Sequence, residues 1–265
     1  MIFDMKILFI GDIVGRPGRE IIKDLLPGIR KRENLDFVIA NAENSAGGSG
    51  LTIKVVEELL SCNIDCLTTG DHIWAKKEVL KILDTEPRLL RPANYPSGVV
   101  GCGSVVLKTR SQSPVGVLNL QGRVFMQPIE CPFHVAQKEI EQLKEKTSVI
   151  IVDFHAEATS EKQALGYFLD GKVSAVVGTH THVQTADETI LTNGTAYISD
   201  VGMTGPFRSV LGRSIDAVLK RFLTSTPTRM EVAQEDVRIQ GVILDVDDNS
   251  GRARSITRVE YRRDV

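Results

Sequence analysis

No apolar run in the chain approaches the ~20 residues that a bilayer-spanning helix requires. Aromatic residues make up only 5% of the 265 residues, with a single tryptophan, Trp74. The four cysteines, Cys62, Cys66, Cys102 and Cys131, are never spaced Cys-x-x-Cys. With most of them beside apolar segments, they read as reduced, structural thiols of a cytoplasmic protein. Neither sign of charge dominates, with 32 Lys and Arg against 34 Asp and Glu and a formal net charge of −2. This balance excludes a general nucleic-acid coat and a membrane-surface protein, while leaving room for a locally positive phosphate pocket. Internal repeats, low-complexity tracts and linker-like stretches are also lacking, so one domain over 1–265 is expected. The amino end, Met1 to Ile10, has too short an apolar core for a signal peptide and reads as a first strand, with Met5 a candidate alternative start.

What the chain does contain is a recurring unit: an apolar β-type run, a polar tip, then a helical pattern. Lys6–Ile10 leads into Gly11-Asp12 and a helix with Ile21, Ile22, Leu25, Leu26 and Ile29 at helical spacing. Phe37–Ala40 leads into Asn41-Ala42-Glu43-Asn44, a Gly-rich loop to Gly50 and a helix from Thr52. Ile64–Thr68 leads into Gly70-Asp71-His72 and a helical stretch through Val79, Leu80, Ile82 and Leu83. Such units build parallel sheets. Short runs at 104–107 and 115–120 suggest closely connected, partly antiparallel strands. A helix carrying Phe133 to Leu143 then precedes a strand at 149–154, whose tip is His155, and a helix through Phe168 precedes the strand 173–177. Further strands are expected at 196–200, 230–232, 237–246 and 255–261, a loop at 201–206 and a helix at 215–222. The reading is an α/β protein, early strands parallel and later ones antiparallel, with two mixed sheets packed between helices.

Histidine is scarce, five in all, and four of the five fall at strand tips. His134 is the exception, at the start of a surface-type helix, where a solvated or capping role is expected. In Val177-Gly178-Thr179-His180-Thr181-His182-Val183, an extended backbone would direct both imidazoles to one side, with Cα atoms about 6.5–7 Å apart. That separation suits two ions about 3.5–4 Å apart better than one. Asp12, Glu43 with Asn44, Asp71 with His72, His155, and His180 with His182 thus form a set of oxygen and nitrogen donors. Each tip alone is an ordinary turn, cap or satisfied histidine. Together, at strand carboxyl ends that converge on one crevice, they fit a pair of Mn, Fe, Zn or Co ions with no competing thiolate.

These residues carry a resemblance. The chain is similar to the calcineurin-like metallophosphoesterase superfamily, and within it to the YmdB-like 2′,3′-cyclic-nucleotide 2′-phosphodiesterases. The likeness runs from Lys6 to about Val246. It rests on Phe9-Ile10-Gly11-Asp12-Ile13-Val14-Gly15, Asn41-Ala42-Glu43-Asn44, Leu90-Arg91-Pro92-Ala93-Asn94, Asn119-Leu120-Gln121-Gly122-Arg123, Asp153 through Lys162, Gly178 through Thr185 and Asp200 through Pro206. The resemblance implies a metallophosphoesterase-like sandwich with Asp12 and His182 on one metal and Asn44 at its edge. Asp71, His155 and His180 would hold the other, Glu43 would bridge, and His72 would be the general acid. Val14, where most of the superfamily has the second ligand of Asp-x-His, matches the narrower branch. Asp71 departs from it, since Gly-Asn-His is usual there. An added carboxylate would favour a trivalent ion such as Fe(III) or raise the pKa of His72.

The implied chemistry is in-line attack by a metal-bridging hydroxide on a cyclic nucleotide or another phosphodiester, with two divalent or mixed-valence ions, Fe or Mn foremost and Zn, Mg or Co as options. The loops around Ser45–Gly50, Arg123 and Gly202–Pro206 would border the pocket, or serve simply as turns. Trp74 is expected to pack rather than stack on a base. Alternatives are a phosphomonoesterase, an RNA-end phosphoesterase acting on RNA-derived substrates, or a non-catalytic nucleotide sensor or scaffold on the same fold. A homo-oligomer, dimer or tetramer, and no membrane partner complete the expectations.

Overall fold

The strand β1 (Asp4–Ile10) shows why two layers of sheet form. Its alternate residues point to opposite faces: Leu8 and Ile10 lie in the core shared with helices α1 (Gly15–Arg32) and α2 (Ile53–Ser61), whereas Ile7 and Phe9 lie in the core between the sheets. β3 (Phe37–Asn41) divides in the same way, Val38 and Ala40 outward and Phe37 and Ile39 inward. A strand apolar on both faces has to be covered on both, and this demand stacks helix, sheet, sheet and helix.

Residues 4–263 are described here, in a computed structural model. The first sheet also contains β2 (Asp12–Ile13), β4 (Cys66–Thr68), β11 (Met203–Pro206), β12 (Val237–Asp247) and β13 (Ala253–Arg262), in the order β2-β11-β12-β1-β3-β4 with β13 on β12. The second contains β5 (Ser104–Lys108), β6 (Pro114–Gln121), β7 (Ile150–His155), β8 (Ala175–Thr179), β9 (Thr189–Ile190) and β10 (Ala196–Ile198), in the order β5-β6-β7-β8-β10-β9. Helices α3 (Pro132–Lys144) and α4 (Thr159–Leu169) cover its outer face through Ala136, Ile140, Leu143, Leu165 and Leu169, and α5 (Ile215–Thr224) follows later in the chain.

Both sheets are mixed. β1, β3 and β4 run parallel, as do β6, β7, β8 and β10, while β12 is antiparallel to β1, β11 and β13. The division into early parallel and late antiparallel strands is therefore too simple. Strands joined by a crossover helix are parallel wherever they fall in the chain, as with β6 to β7 through α3 and β7 to β8 through α4.

Three local expectations also differ. The stretch after Gly70 forms two short 3₁₀ segments, Asp71–Ala75 and Lys77–Lys81, in place of a helical run. The segment 230–232 makes only a single bridge, Val232 to Arg213. The expected loop at 201–206 contains β11, whose sequence Met203-Thr204-Gly205-Pro206, half glycine and proline, gives no strand signal and which is held by pairing to β2 and β12. Trp74 packs edge-on against Tyr95, ring centroids 5.3 Å apart. Among the described residues no helix is long and apolar enough to cross a membrane. Met1–Phe3 of the expected first strand lie outside the described residues, and Met5 is buried within β1.

Candidate metal centre

The carboxyl ends of the parallel strands in both sheets meet at one place. Asp12 comes from β2, Glu43 and Asn44 from the turn after β3, Asp71 and His72 from the 3₁₀ segment after β4, His155 from the end of β7, and His180 and His182 from the turn after β8. All the sequence-predicted site residues are brought together. The approach is close enough to dictate a glycine: a Cβ on Gly70 would lie 2.1 Å from the His155 ring and 2.5 Å from Glu43 Oε2.

One half of the site holds Glu43, Asp71, His155 and His180, each offering an atom that lies within 4.8 Å of the others. His155 Nε2 is 3.1 Å from Glu43 Oε1, 3.3 Å from Asp71 Oδ1 and 2.9 Å from His180 Nδ1. The other half holds Asp12 and His182, with His182 Nε2 3.6 Å from Asp12 Oδ1 and 3.2 Å from Asn44 Nδ2. Glu43 lies between them, its Oε1 also accepting from Asn44 Nδ2 at 3.2 Å. His72 sits at the rim with its side chain 41% exposed; its Nδ1 is 2.9 Å from Asn44 Oδ1 and its Nε2 3.8 Å from Asp71 Oδ2.

The buried histidines are oriented from behind. Thr179 Oγ1 donates to Asp153 Oδ1 at 2.7 Å, so it accepts from His155 Nδ1 at 2.9 Å, leaving the Nε2 lone pair directed at Glu43 and Asp71. His182 Nδ1 donates to the Leu211 carbonyl at 3.2 Å, again freeing Nε2 for the centre. His180 is turned the other way: its Nε2 meets Glu157 Oε2 at 3.2 Å while Nδ1 faces inward. Holding one ring nitrogen so that the other presents its lone pair is how proteins prepare imidazole ligands.

The electrostatics call for positive charge. Burial pushes the carboxyls of Asp12 and Glu43 up, but neighbouring histidines more than offset this, His182 chiefly for Asp12 and His155 chiefly for Glu43, and both groups end below the ordinary carboxylate range. Burial pushes His155 down, yet Glu43 and Asp71 raise it well above the usual imidazole value. Its neighbour His180 is lowered by burial and then by His155. The cluster thus stabilises a cation among its carboxylates and resists a second one on the adjoining ring. Asp12 Oδ1, fully buried, makes no hydrogen bond. A donor set of carboxylate oxygens and imidazole nitrogens with one orphaned buried oxygen fits hard or borderline metal ions.

The route to this geometry differs from an extended His-x-His. β8 ends at Thr179, and His180 and His182 both take positive φ, 97° and 63°. The chain curls because His180 N–H donates to Asp12 Oδ2 at 3.2 Å and Thr181 donates from both N–H and Oγ1 to Asp200 Oδ2, at 3.0 and 2.7 Å. Asp200 and its buried partner Lys162, 2.9 Å away, are positioning residues that lie within the family-like motifs but carry no local signal of this role. Asp153 is another; an acid inside the otherwise apolar run Val149–Phe154 is the signal that could have marked it. His134 is exposed on α3, as expected.

Two mixed sheets between helices, with histidines and carboxylates gathered at the strand ends, define a metallophosphoesterase-like fold. The chain belongs to the YmdB-like protein family, whose model matches residues 8–259. It is 48% identical over 255 residues to the 2′,3′-cyclic-nucleotide 2′-phosphodiesterase of Bacillus subtilis (strain 168), covering 96% of each chain. Among solved structures it resembles a novel phosphatase from Mycoplasma pneumoniae (TM-score 0.92, 35% identity, 98% of this chain and 94% of that one). It also resembles a hypothetical protein from Thermus thermophilus (TM-score 0.91, 40% identity, 97% and 99%).

Proposed function

We propose that the chain, acting as a single cytoplasmic domain, is a metal-dependent phosphodiesterase that hydrolyses 2′,3′-cyclic nucleotides and, less selectively, other phosphodiesters. Asp12 and His182, with Asn44 at the edge, would hold one ion. Asp71, His155 and His180 would hold the other, and Glu43 would serve both. The observation that carries this reading is the position of Glu43, a buried carboxylate 3.1 Å from His155 Nε2 on one side and bonded to Asn44, the neighbour of His182, on the other. Bound ions, Fe or Mn foremost, would neutralise phosphoryl charge and lower the pKa of water near the substrate.

The chain's own contribution to bond cleavage is His72. Asn44 Oδ1 accepts a hydrogen bond from His72 Nδ1 at 2.9 Å, which fixes the ring and leaves Nε2, 3.8 Å from Asp71 Oδ2, as the nitrogen that would donate to substrate. Contact with Glu43, 3.4 Å away, raises the His72 pKa against the opposing effect of burial, the direction that suits a general acid for the departing sugar oxygen. Expulsion of the 2′-oxygen, yielding a 3′-nucleotide, is supported by the activity in the name of the Bacillus subtilis relative. A phosphomonoesterase with the same residues is the second reading, favoured by the description of the Mycoplasma pneumoniae structure as a phosphatase.

Manganese-loaded wild type and His72→Ala, assayed on 2′,3′-cyclic AMP, 3′,5′-cyclic AMP, bis-p-nitrophenyl phosphate and p-nitrophenyl phosphate, test the proposal. Loss of the acid should lower kcat on 2′,3′-cyclic AMP about 10²–10⁴-fold. The effect on bis-p-nitrophenyl phosphate should be smaller, because its phenolate leaves without protonation. Absence of metal-dependent turnover on every substrate would sink the enzyme reading, and a preference for the monoester would sink the diesterase.

A further inference from the structure

The loop that follows β6 starts beside the main chain of His155 and carries an exposed ring. Gln121, the last residue of β6, stands in register with His155. The next N–H, that of Gly122, donates to the His155 carbonyl at 2.9 Å, and a Cβ there would come 2.6 Å from Ala156 Cβ and from Glu161 Oε2. Glu161, 8% exposed in the first turn of α4, then accepts from the backbone N–H of Arg123 at 3.0 Å and of Val124 at 3.1 Å. Met126 N–H closes a turn on the Arg123 carbonyl at 3.3 Å. Within that turn Phe125 has φ 62° and is 89% exposed.

Each part of this arrangement runs against the general economy of a fold. Left-handed φ is an outlier for a bulky side chain, and glycine or asparagine is the ordinary choice at that turn position. An aromatic ring left in water forfeits the burial that makes such residues favourable. A buried carboxylate nonetheless pins the preceding backbone, so the ring is held on an anchored loop. By chain reach, the Cα of Phe125 lies within about 11 Å of Gly122, whose N–H donates to the main-chain carbonyl of His155, a residue of the candidate metal centre. Along the chain, Arg123, Gln127 and Pro128 are exposed and Val124 is the one exposed aliphatic residue of the loop, so the loop presents an aromatic face rather than a broad apolar stretch. Contact with a protein surface calls for contiguous apolar area, whereas a lone ring suits one planar group.

We infer that Phe125 is the stacking face of a nucleobase subsite, receiving the base of a cyclic nucleotide whose phosphate lies at the metal centre. The inference rests on the phosphodiesterase reading and adds where the base goes. Because every base presents a π-face, the subsite accepts purines and pyrimidines alike and confers preference for nucleotides over base-free cyclic phosphates.

The test uses the full-length, manganese-loaded protein as wild type, Phe125→Ala and Phe125→Trp. The substrates are 2′,3′-cyclic AMP, 2′,3′-cyclic UMP and the base-free methyl riboside 2′,3′-cyclic phosphate. The ratio of kcat/KM for each nucleotide to that for the base-free substrate should fall at least about fivefold in Phe125→Ala, chiefly through KM, and recover in Phe125→Trp. Calorimetry with adenosine 3′-monophosphate should show the same loss and recovery in Kd. An unchanged ratio and Kd in Phe125→Ala overturn the inference while leaving the phosphodiesterase reading intact. So does an unchanged ratio accompanied by a change in sedimentation, which would make Phe125 a contact between copies. Failure of wild type to hydrolyse either nucleotide overturns both.

Discussion

Asp200 shows how a residue outside the metal-facing set controls it. Its Oδ2 receives Lys162 Nζ and both donors of Thr181, and its Oδ1 receives Gly202 N–H at 2.9 Å. The carboxylate therefore fixes the residue between two histidines that must both adopt left-handed backbone. Lys162 is buried, so Asp200→Ala strands a charge in the interior, which costs about 3–5 kcal/mol. Urea unfolding should show that loss, and the double replacement Lys162→Met, Asp200→Ala should recover part of it. A midpoint shift no larger than that of a surface variant would show that Lys162 finds another partner. Four of the five histidines and every proposed metal-facing carboxylate were legible from their places at strand tips. The orienting groups were not, because a hydroxyl such as Thr179 or a carbonyl such as that of Leu211 looks like any other until the fold brings it to an imidazole.

Among the elements, α5 is the one whose sequence pattern and surroundings disagree. Ile215, Leu219, Phe222 and Leu223 are spaced as one helical face, yet they are 40%, 50%, 80% and 84% exposed, with only Val218 buried. Val210 and Leu211, shortly before the helix, are exposed as well. Asp216 lies near one end of the helix and Lys220 and Arg221 nearer the other. Two antiparallel copies would therefore set each Asp216 opposite a basic residue of its twin, as a twofold, self-complementary contact requires. A homo-oligomer through α5 is the expected consequence. Sedimentation velocity should show Leu219→Glu with Phe222→Glu shifting the protein to a smaller species; an identical profile would rule out this face. Periodicity identified the helix but could not say which side would be covered. The two 3₁₀ segments after Gly70 illustrate the converse, since Lys76 is extended, at φ −124° and ψ 113°, and divides the stretch into Asp71–Ala75 and Lys77–Lys81 despite the helical pattern of Val79 to Leu83.

At the scale of the whole molecule, the site exists only because two sheets share an edge of the core. The first contributes Asp12, Glu43, Asn44, Asp71 and His72, the second His155, His180 and His182. An ion held by both halves would brace the sheets against separation. Addition of Mn²⁺ should therefore raise the thermal midpoint and EDTA should reverse the rise. At free ion 100-fold above Kd the gain is about 2.7 kcal/mol for one site. Asp71→Asn, which removes a negative charge while keeping the side-chain shape, should change which ion gives the largest stabilisation. Equal melting of chelated and loaded protein would argue against ions bound from both sheets. The sequence alone determined the layers and the donors: alternating apolar strands must be covered on both faces, and the scarce histidines sit where such strands end. Only the tertiary structure decided how the donors meet. The curl at His180 and His182, the pairing of β11 and the clamp on the loop of Phe125 all depend on hydrogen bonds between residues far apart in the chain, and local sequence pattern carries no trace of those partners.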